Sequence, residues 1–172
     1  GIGNISDQVL KNGFQLTMSD IRANYCAYLR DKFSARQGVE NIIEFDLVHP
    51  DFDNKYAVML GTFDSVFALN VVEHIENDQM AISNAMKLLR KGGNLIVLVP
   101  AYQWLYNNFD KELFHFRRYT RNSLKKLFVD AGFQLKRAFY FNAFGIPGWF
   151  FTGNILRKKI IPAGQMNLFN KL

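Results

Sequence analysis

The feature that most constrains the fold is a pair of glycines followed, at set distances, by two acids that each end a strand pattern. Gly1 and Gly3 open a helical pattern, Asp20 ends the apolar stretch after it, and Asp46 ends the next strand pattern. Glycine lets the backbone approach a ligand closely, and an acid about twenty residues further on can accept hydrogen bonds from ribose hydroxyls. The spacing therefore predicts the nucleoside-binding half of a Rossmann-like fold.

Strand and helix patterns alternate along the rest of the chain with short connections. Such alternation is typical of a parallel α/β sheet. Residues 63–69 are almost continuously apolar, as expected of a strand that is covered on both faces. The patterns predict helices at 4–12, 21–35, 77–90 and 121–131, the last capped by Thr120, and strands at 14–19, 42–46, 63–69, 95–99 and 135–141.

A glycine loop of this kind follows a buried parallel strand, yet Gly1 is the first residue given. A sheet without that strand would leave its neighbours unpaired. We therefore expect the sequence to be part of a longer protein.

The charge is concentrated at one end of the chain. Residues 1–110 carry 9 Lys and Arg against 13 Asp and Glu, whereas residues 111–172 carry 12 against 2. A basic third of this kind suggests an anionic substrate, an anionic membrane surface or nucleic acid, although a solvated surface is the simpler explanation.

Cysteine and histidine exclude some classes of site. A single cysteine, Cys26, excludes an intrachain disulfide framework, and its helical setting favours a packed thiol over a nucleophile. His49, His74 and His115 are far apart in the sequence and have no metal-ligand spacing, so we expect no metal site. No apolar run reaches the roughly 20 residues that a transmembrane helix needs.

Motifs in the second half resemble those of class I S-adenosylmethionine-dependent methyltransferases. They are Asn70–Ile75, Leu88–Gly93 with Pro100, and Tyr119–Phe133. The resemblance implies a Rossmann-like, doubly wound, mostly parallel sheet in three α/β/α layers, here without its first and last strands. It also implies a methyltransferase domain over 1–141, truncated at its start, and an aromatic and basic cap or lid over 142–172.

The same resemblance implies a binding site for S-adenosylmethionine. Asp20 would hold both ribose hydroxyls, and Asp46 would accept a hydrogen bond from the adenine amino group. The alternative is that both acids are polar strand ends entering turns, where Asp is common. Ile5 stands where a third glycine is usual in the family. The expected cofactor-binding residues are Gly1, Gly3, Asp20, Ile21, Asp46, Leu47 and Asn70.

On the acceptor side, His74 and His115 are candidate catalytic bases, with Glu73 and His74 also able to support the turn after a strand. Arg117, Arg118 and Tyr119 are candidate substrate-binding residues, since paired arginines suit a phosphate or carboxylate. The alternative is that the arginines pair with nearby acids such as Asp110 or Glu112.

The expected function is methyl transfer to a small-molecule, glycan or lipid-linked acceptor, acceptors with an anionic group included. An RNA methyltransferase and a cofactor-binding protein without catalysis are the alternatives. A dehydrogenase is disfavoured because Ser6 stands where its fingerprint has a glycine. We expect a cytoplasmic protein that contacts the inner face of the membrane through aromatic and basic residues; packing of the aromatics as an ordinary cap is the alternative. These residues are Trp149, Phe150, Phe151, Arg157, Lys158 and Lys159.

Overall fold

The computed structural model describes residues 2–141 and 145–150. The chain divides into two compact units, Gly1–His49 and Pro50–Leu172. The predicted boundary between a domain over 1–141 and a cap over 142–172 falls at the edge of the described residues, so it stays a prediction. None of the helices in the described ranges has the length and apolar character that crossing a bilayer requires.

The first unit consists of two helices and two parallel strands. Its buried core is formed by Leu10, Met18, Leu29 and Phe33, which come from both helices and the first strand. Cys26 is fully buried and its thiol donates to the backbone oxygen of Ile43 at 3.2 Å, as expected of a packed thiol. In chain order the elements are α1 (Asn4–Lys11), β1 (Leu16–Asp20), α2 (Ala23–Phe33) and β2 (Val39–Glu44).

The second unit contains two further parallel strands and the remaining helices. Its core joins β3 to the two longest helices of the unit through Ala68, Ile82, Leu127 and Phe128. The elements are α3 (Phe52–Lys55), β3 (Phe63–Leu69), α4 (Asp78–Leu88), β4 (Leu89–Leu98), α5 (Asn108–Glu112), α6 (Arg121–Asp130) and α7 (Gly145–Phe150). Short 3-10 turns lie at Ala57–Met59, Val72–His74 and Gln103–Leu105.

The start of β4 differs from the prediction, which placed the helix before it as far as residue 90. The strand begins at Leu89, and its register with β3 shifts between Phe63 and Ser65. Gly92 has a φ of 81° there, and a Cβ on Gly93 would lie 3.1 Å from the backbone oxygen of Asp64. The two glycines therefore form an irregularity inside the strand. The sequence pattern had been interpreted as the end of the preceding helix.

The strand predicted at 135–141 is wrong, since these residues belong to no strand. Alternating apolar residues favour an extended chain, but a strand also needs a hydrogen-bonded neighbour. Within the described part of the chain this segment pairs with no strand, and Phe139 and Phe141 are largely exposed.

Candidate functional site

The two acids predicted to bind the cofactor lie at the carboxyl ends of neighbouring parallel strands, Asp20 as the last residue of β1 and Asp46 two residues after β2. Asp20 is opposite Glu44 in the register of β1 and β2, and its backbone oxygen accepts from the N–H of Phe45, the residue before Asp46. Carboxyl ends of adjacent parallel strands are where open α/β sheets bind ligands. The structure therefore brings Asp20 and Asp46 to the same edge of this small sheet.

Both carboxylates also support their own turns. Oδ1 of Asp20 accepts from the N–H of Arg22 at 3.0 Å, and Oδ1 of Asp46 accepts from the N–H of Val48 at 2.9 Å. These are the bonds that the turn alternative requires. Because an ionised carboxylate has about four acceptor positions, such bonds are compatible with a ligand as well.

The surroundings of Asp20 favour an ionised acceptor beside an apolar surface. Partial burial raises the pKa of Asp20, whereas the hydrogen bond from the N–H of Arg22 and the positive charge of Arg22 lower it. The next residue, Ile21, is 65% exposed, and Leu47 is half-buried. An exposed apolar side chain next to a carboxylate suits a ligand with a ring and hydroxyl groups.

Gly3 has a structural reason to be glycine. Its φ is 75°, and a Cβ there would lie 2.6 Å from Cε2 of Phe33. The residue thus begins α1 in a left-handed conformation while packing on α2. Its predicted contact with the cofactor stays a prediction, and Gly1 lies outside the described residues.

Asn70 follows β3 in the second unit and adopts an uncommon backbone conformation. Its φ is 52°, a region that asparagine tolerates better than most residues, and its N–H donates to the backbone oxygen of Leu98 at 2.8 Å. Asn70 is exposed at the carboxyl end of its strand, where the family resemblance expects it.

A buried carboxylate, Asp110, organises the second group of predicted residues. Its Oδ1 lies 2.9 Å from Nδ1 of His115 and 2.8 Å from Nε of Arg118. Its Oδ2 accepts from the N–H of Asn107 at 2.9 Å, closing a capping box at the start of α5. Asp110 is fully buried, which raises its pKa, but the bonds from His115, Arg118 and Asn107 outweigh burial and hold the pKa below its ordinary value.

His115 lies beside Glu73 and His74, which belong to the short turn after β3. Its ring centroid is 4.6 Å from that of His74, and the N–H of Phe116 donates to the backbone oxygen of Glu73 at 2.8 Å. Glu73 is 1% exposed, and its Oε2 has no hydrogen-bond partner among the described residues. Burial therefore raises the pKa of Glu73. Sequence separation had suggested that these two histidines are unrelated, whereas the fold brings them into contact.

The three predicted substrate-binding residues have different surroundings. Arg118 is nine-tenths buried and paired with Asp110, which favours the ion-pair alternative for it. Tyr119 is buried and donates to Oδ2 of Asp78 at 2.8 Å; burial, and then this bond, raise its pKa. Arg117 is the accessible member, with a side chain that is 37% exposed and lies 3.0 Å from Asp78.

Sequence reasoning considered Glu73 and Asp110 only as supporting residues. One signal for Asp110 was available, since Asn107 and Asp110 have the spacing of a capping box and Asp110 lies five residues before His115. Glu73 gave no such signal, because its hydrogen bond with the N–H of Phe116 joins residues that are distant in the sequence.

The arrangement can orient an imidazole for chemistry. An ionised Asp110 holds a proton on Nδ1 of His115, so that Nε2 carries the lone pair. A lone pair fixed in this way can accept a proton or bind an electrophile.

Comparisons with known proteins bear on the family. Residues 1–95 match the model of a methyltransferase domain family. A protein of Bacillus halodurans described as a candidate methyltransferase is 22% identical, with a TM-score of 0.66 over 80% of this chain and 61% of its own. The [4+2]-cyclase SpnF is 18% identical, with a TM-score of 0.64 over 80% and 49%. The trans-methyltransferase CalH, solved with SAH, is 18% identical, with a TM-score of 0.60 over 77% and 42%.

The chain thus spans between 42% and 61% of the length of these three structures. Their identities to it are low, so they bear on the fold, which is Rossmann-like with parallel strands as the sequence predicted. Because the family model covers more than half of the 172 residues, the chain belongs to the methyltransferase domain family, of the class I S-adenosylmethionine-dependent type that its motifs resemble.

Proposed function

We propose that the protein transfers a methyl group from S-adenosylmethionine to an acceptor hydroxyl. Family membership supports the methyl transfer. The observation that carries the proposal of a hydroxyl acceptor is the 2.9 Å contact between Nδ1 of His115 and Asp110. A hydroxyl is protonated at neutral pH, so its methylation needs help in losing the proton, which an oriented imidazole supplies.

The residues of the first unit fit the proposed cofactor. Asp20 and Asp46 are carboxylates at one edge of a parallel sheet, and Ile21 is exposed next to the first of them. Asp20 would accept from the two ribose hydroxyls, and Asp46 from the adenine amino group. Ile21 and Leu47 would contact the adenine ring. When bound, S-adenosylmethionine supplies an already activated methyl group on its sulfonium.

The work left to the protein is alignment, exclusion of water and removal of one proton. Alignment of two bound reactants contributes much of the acceleration in reactions of this kind. The acceptor oxygen would receive the methyl carbon of the sulfonium, whose carbon–sulfur bond would break. The hydroxyl proton departs with the assistance of the lone pair on Nε2 of His115, whose orientation Asp110 fixes.

We further propose that the acceptor is a small molecule, glycan or lipid-linked compound that carries an anionic group. Arg117 supports this part of the proposal, because its guanidinium is partly exposed and lies two residues after His115. Arg118 would act on the acceptor only indirectly, by holding Asp110. The basic character of residues 111–172 agrees with an anionic acceptor.

The test separates the cofactor from the chemistry. Calorimetry of the full-length protein should give binding of S-adenosylmethionine and none of NAD. Methyl transfer to a panel of sugar, phenol and lipid-linked hydroxyl compounds should fall at least 100-fold in kcat in His115→Gln, on the scale of a lost acid–base group, with unchanged cofactor affinity. His49→Gln is the matched histidine control for folding.

The [4+2]-cyclase among the similar structures is a reason to test chemistry directly, because one fold supports different reactions. Binding of S-adenosylmethionine without transfer to any acceptor would favour a cofactor-binding partner. Transfer to RNA accompanied by a gel shift would favour the RNA alternative.

A further inference from the structure

Three side chains of the second unit place possible metal-ligand atoms close together. Glu73, His74 and His115 each offer one such atom, and these atoms lie within 4.8 Å of one another. Two ligands held about 2.1 Å from a tetrahedral ion lie about 3.4 Å apart. Small side-chain rotations would therefore bring the three groups into the first coordination shell of one ion.

Glu73 is the group whose surroundings most call for an additional partner. It is 1% exposed, and its Oε2 makes no hydrogen bond to any described residue. Buried carboxylate oxygens are nearly always paired, and an unpaired one is costly. One carboxylate oxygen of Glu73 lies within 4.8 Å of a ring nitrogen of each histidine, so a cation there would coordinate a carboxylate that has an unpaired oxygen.

His115 is already oriented in the way that metal-binding histidines usually are. Its Nδ1 lies 2.9 Å from Oδ1 of Asp110, which leaves Nε2 as the donor atom. A carboxylate behind the ring fixes its tautomer and strengthens the other nitrogen as a ligand. Asp110 lies 2.8 Å from Arg118 and balances its positive charge. The negative charge of Glu73 is therefore available to balance part of the charge on a bound ion.

We propose that Glu73, His74 and His115 form a binding site for one divalent transition-metal ion. Two imidazoles and one carboxylate suit zinc, iron, cobalt or manganese better than calcium or magnesium. Three protein ligands leave at least one coordination position open, as in catalytic sites. This proposal differs from the expectation from sequence that the histidines form no metal site.

The ion would activate the acceptor, and this part rests on the proposed function. The lone pair of His115 Nε2 goes to the ion, and the acceptor oxygen takes the open position. Coordination lowers the pKa of a bound hydroxyl strongly, so the hydroxyl loses its proton to solvent before the methyl group arrives. His115 then assists deprotonation through the ion rather than by direct contact.

The test uses Co²⁺ as the probe, in the metal-stripped full-length protein without S-adenosylmethionine. We expect one equivalent to bind, with visible absorption bands that Zn²⁺ abolishes on competition. His74→Ala, at an exposed position, and Glu73→Gln, which keeps the shape of the side chain, should each weaken binding at least tenfold. Glu76→Gln, an exposed glutamate three residues further on, is the control and should leave the affinity unchanged.

Absence of stoichiometric Co²⁺ binding by the wild-type protein would overturn the proposal. Equal Co²⁺ affinity in the wild-type protein and in the His74→Ala variant would also overturn it. Circular dichroism shows which variants are folded, and only folded variants are compared. Calorimetry with S-adenosylmethionine on the same preparations shows separately whether the proposed function fails. Metal binding without binding of S-adenosylmethionine would support the proposed metal site and contradict the proposed methyl transfer.

Discussion

Asp110 and His115 are joined twice: side chain to side chain at 2.9 Å, and from the N–H of His115 to the backbone oxygen of Asp110 at 2.8 Å. The same Asp110 carboxylate holds Arg118. One fully buried acid therefore fixes both the candidate catalytic histidine and an arginine that the sequence suggested for substrate binding. Its removal should affect stability as well as chemistry.

Asp110→Asn should lower the free energy of unfolding by about 3–5 kcal/mol, because it leaves Arg118 buried without its counter-charge. Urea denaturation measures this loss. Asp130→Asn is the control, since Asp130 pairs with Lys126 on the exposed face of α6 and its loss should cost less than about 1 kcal/mol. Equal losses of unfolding free energy in the two variants would mean that the buried Asp110–Arg118 pair stabilises the protein no more than an exposed pair.

The stabilising effect of Asp110 should also depend on pH. Its pKa is lower in the folded chain than in the unfolded chain, so its stabilisation is complete above the unfolded value of about 3.9. The stabilisation is lost as the pH falls through the folded pKa. The difference in stability between wild type and Asp110→Asn should therefore shrink as the pH falls below about 4. Curves that stay parallel down to acid unfolding would contradict this sign.

The neighbouring arginines should separate in mutagenesis. Arg118→Gln removes a buried partner of Asp110 and should cost about 3–5 kcal/mol of stability. Arg117→Gln affects a partly exposed pair with Asp78 and should cost about 1 kcal/mol or less, while raising the KM for an anionic acceptor. Thermal denaturation and acceptor kinetics distinguish the two. A stable Arg117→Gln protein with unchanged KM would remove Arg117 from the acceptor site.

Asp20→Asn should weaken the binding of S-adenosylmethionine, because it removes charge-assisted bonds to the ribose hydroxyls. The expected loss is about 1.5–3 kcal/mol per charged hydrogen bond, or less where water substitutes. Calorimetry measures the change, and Asp31→Asn, at an exposed acid on α2, is the matched control. Equal affinities for the two variants would remove Asp20 from the proposed cofactor site.

The parts of the fold that local chemistry determines could be predicted from sequence. The almost continuous apolar run of residues 63–69 predicted the limits of β3. Thr120 caps α6 through reciprocal bonds with Ser123, three residues further on. The strand expected at 135–141 failed because its apolar pattern carries no information about a pairing partner. Local signals thus gave elements and caps, but not which extended segments pair.

The candidate site shows the same limit. The two acids could be found by counting along the sequence, because Asp20 is the last residue of β1 and Asp46 follows β2 by two residues. The proximity of His74 and His115 could not, since it depends on a loop held by the backbone bond from Phe116 to Glu73. The distance between His74 and His115 along the sequence led to the expectation of no metal site, although the fold brings the two residues together.

The expected membrane contact can be examined at Trp149, the one aromatic residue of segment 142–172 whose side chain the structure describes. The guanidinium of Arg118 lies 4.7 Å from the centroid of the Trp149 ring, and Phe109 packs edge-on at 5.3 Å. These contacts favour the ordinary cap for Trp149, whereas the side chains of Phe150 and Phe151 and the basic residues Arg157, Lys158 and Lys159 lie outside the described residues.

Binding of the full-length protein to anionic vesicles should therefore come from the basic residues, at about 1 kcal/mol each near the surface, and fall with added salt. Charge reversal at Lys158 and Lys159 should reduce pelleting, while reversal at Lys125 and Lys126 on α6 should reduce it less. In a Trp104→Phe background, Trp149 is the remaining tryptophan of the given sequence, and its emission should not shift on vesicle addition. A blue shift would show that Trp149 leaves Arg118 for the lipid, and failure to pellet at low salt would end the membrane hypothesis.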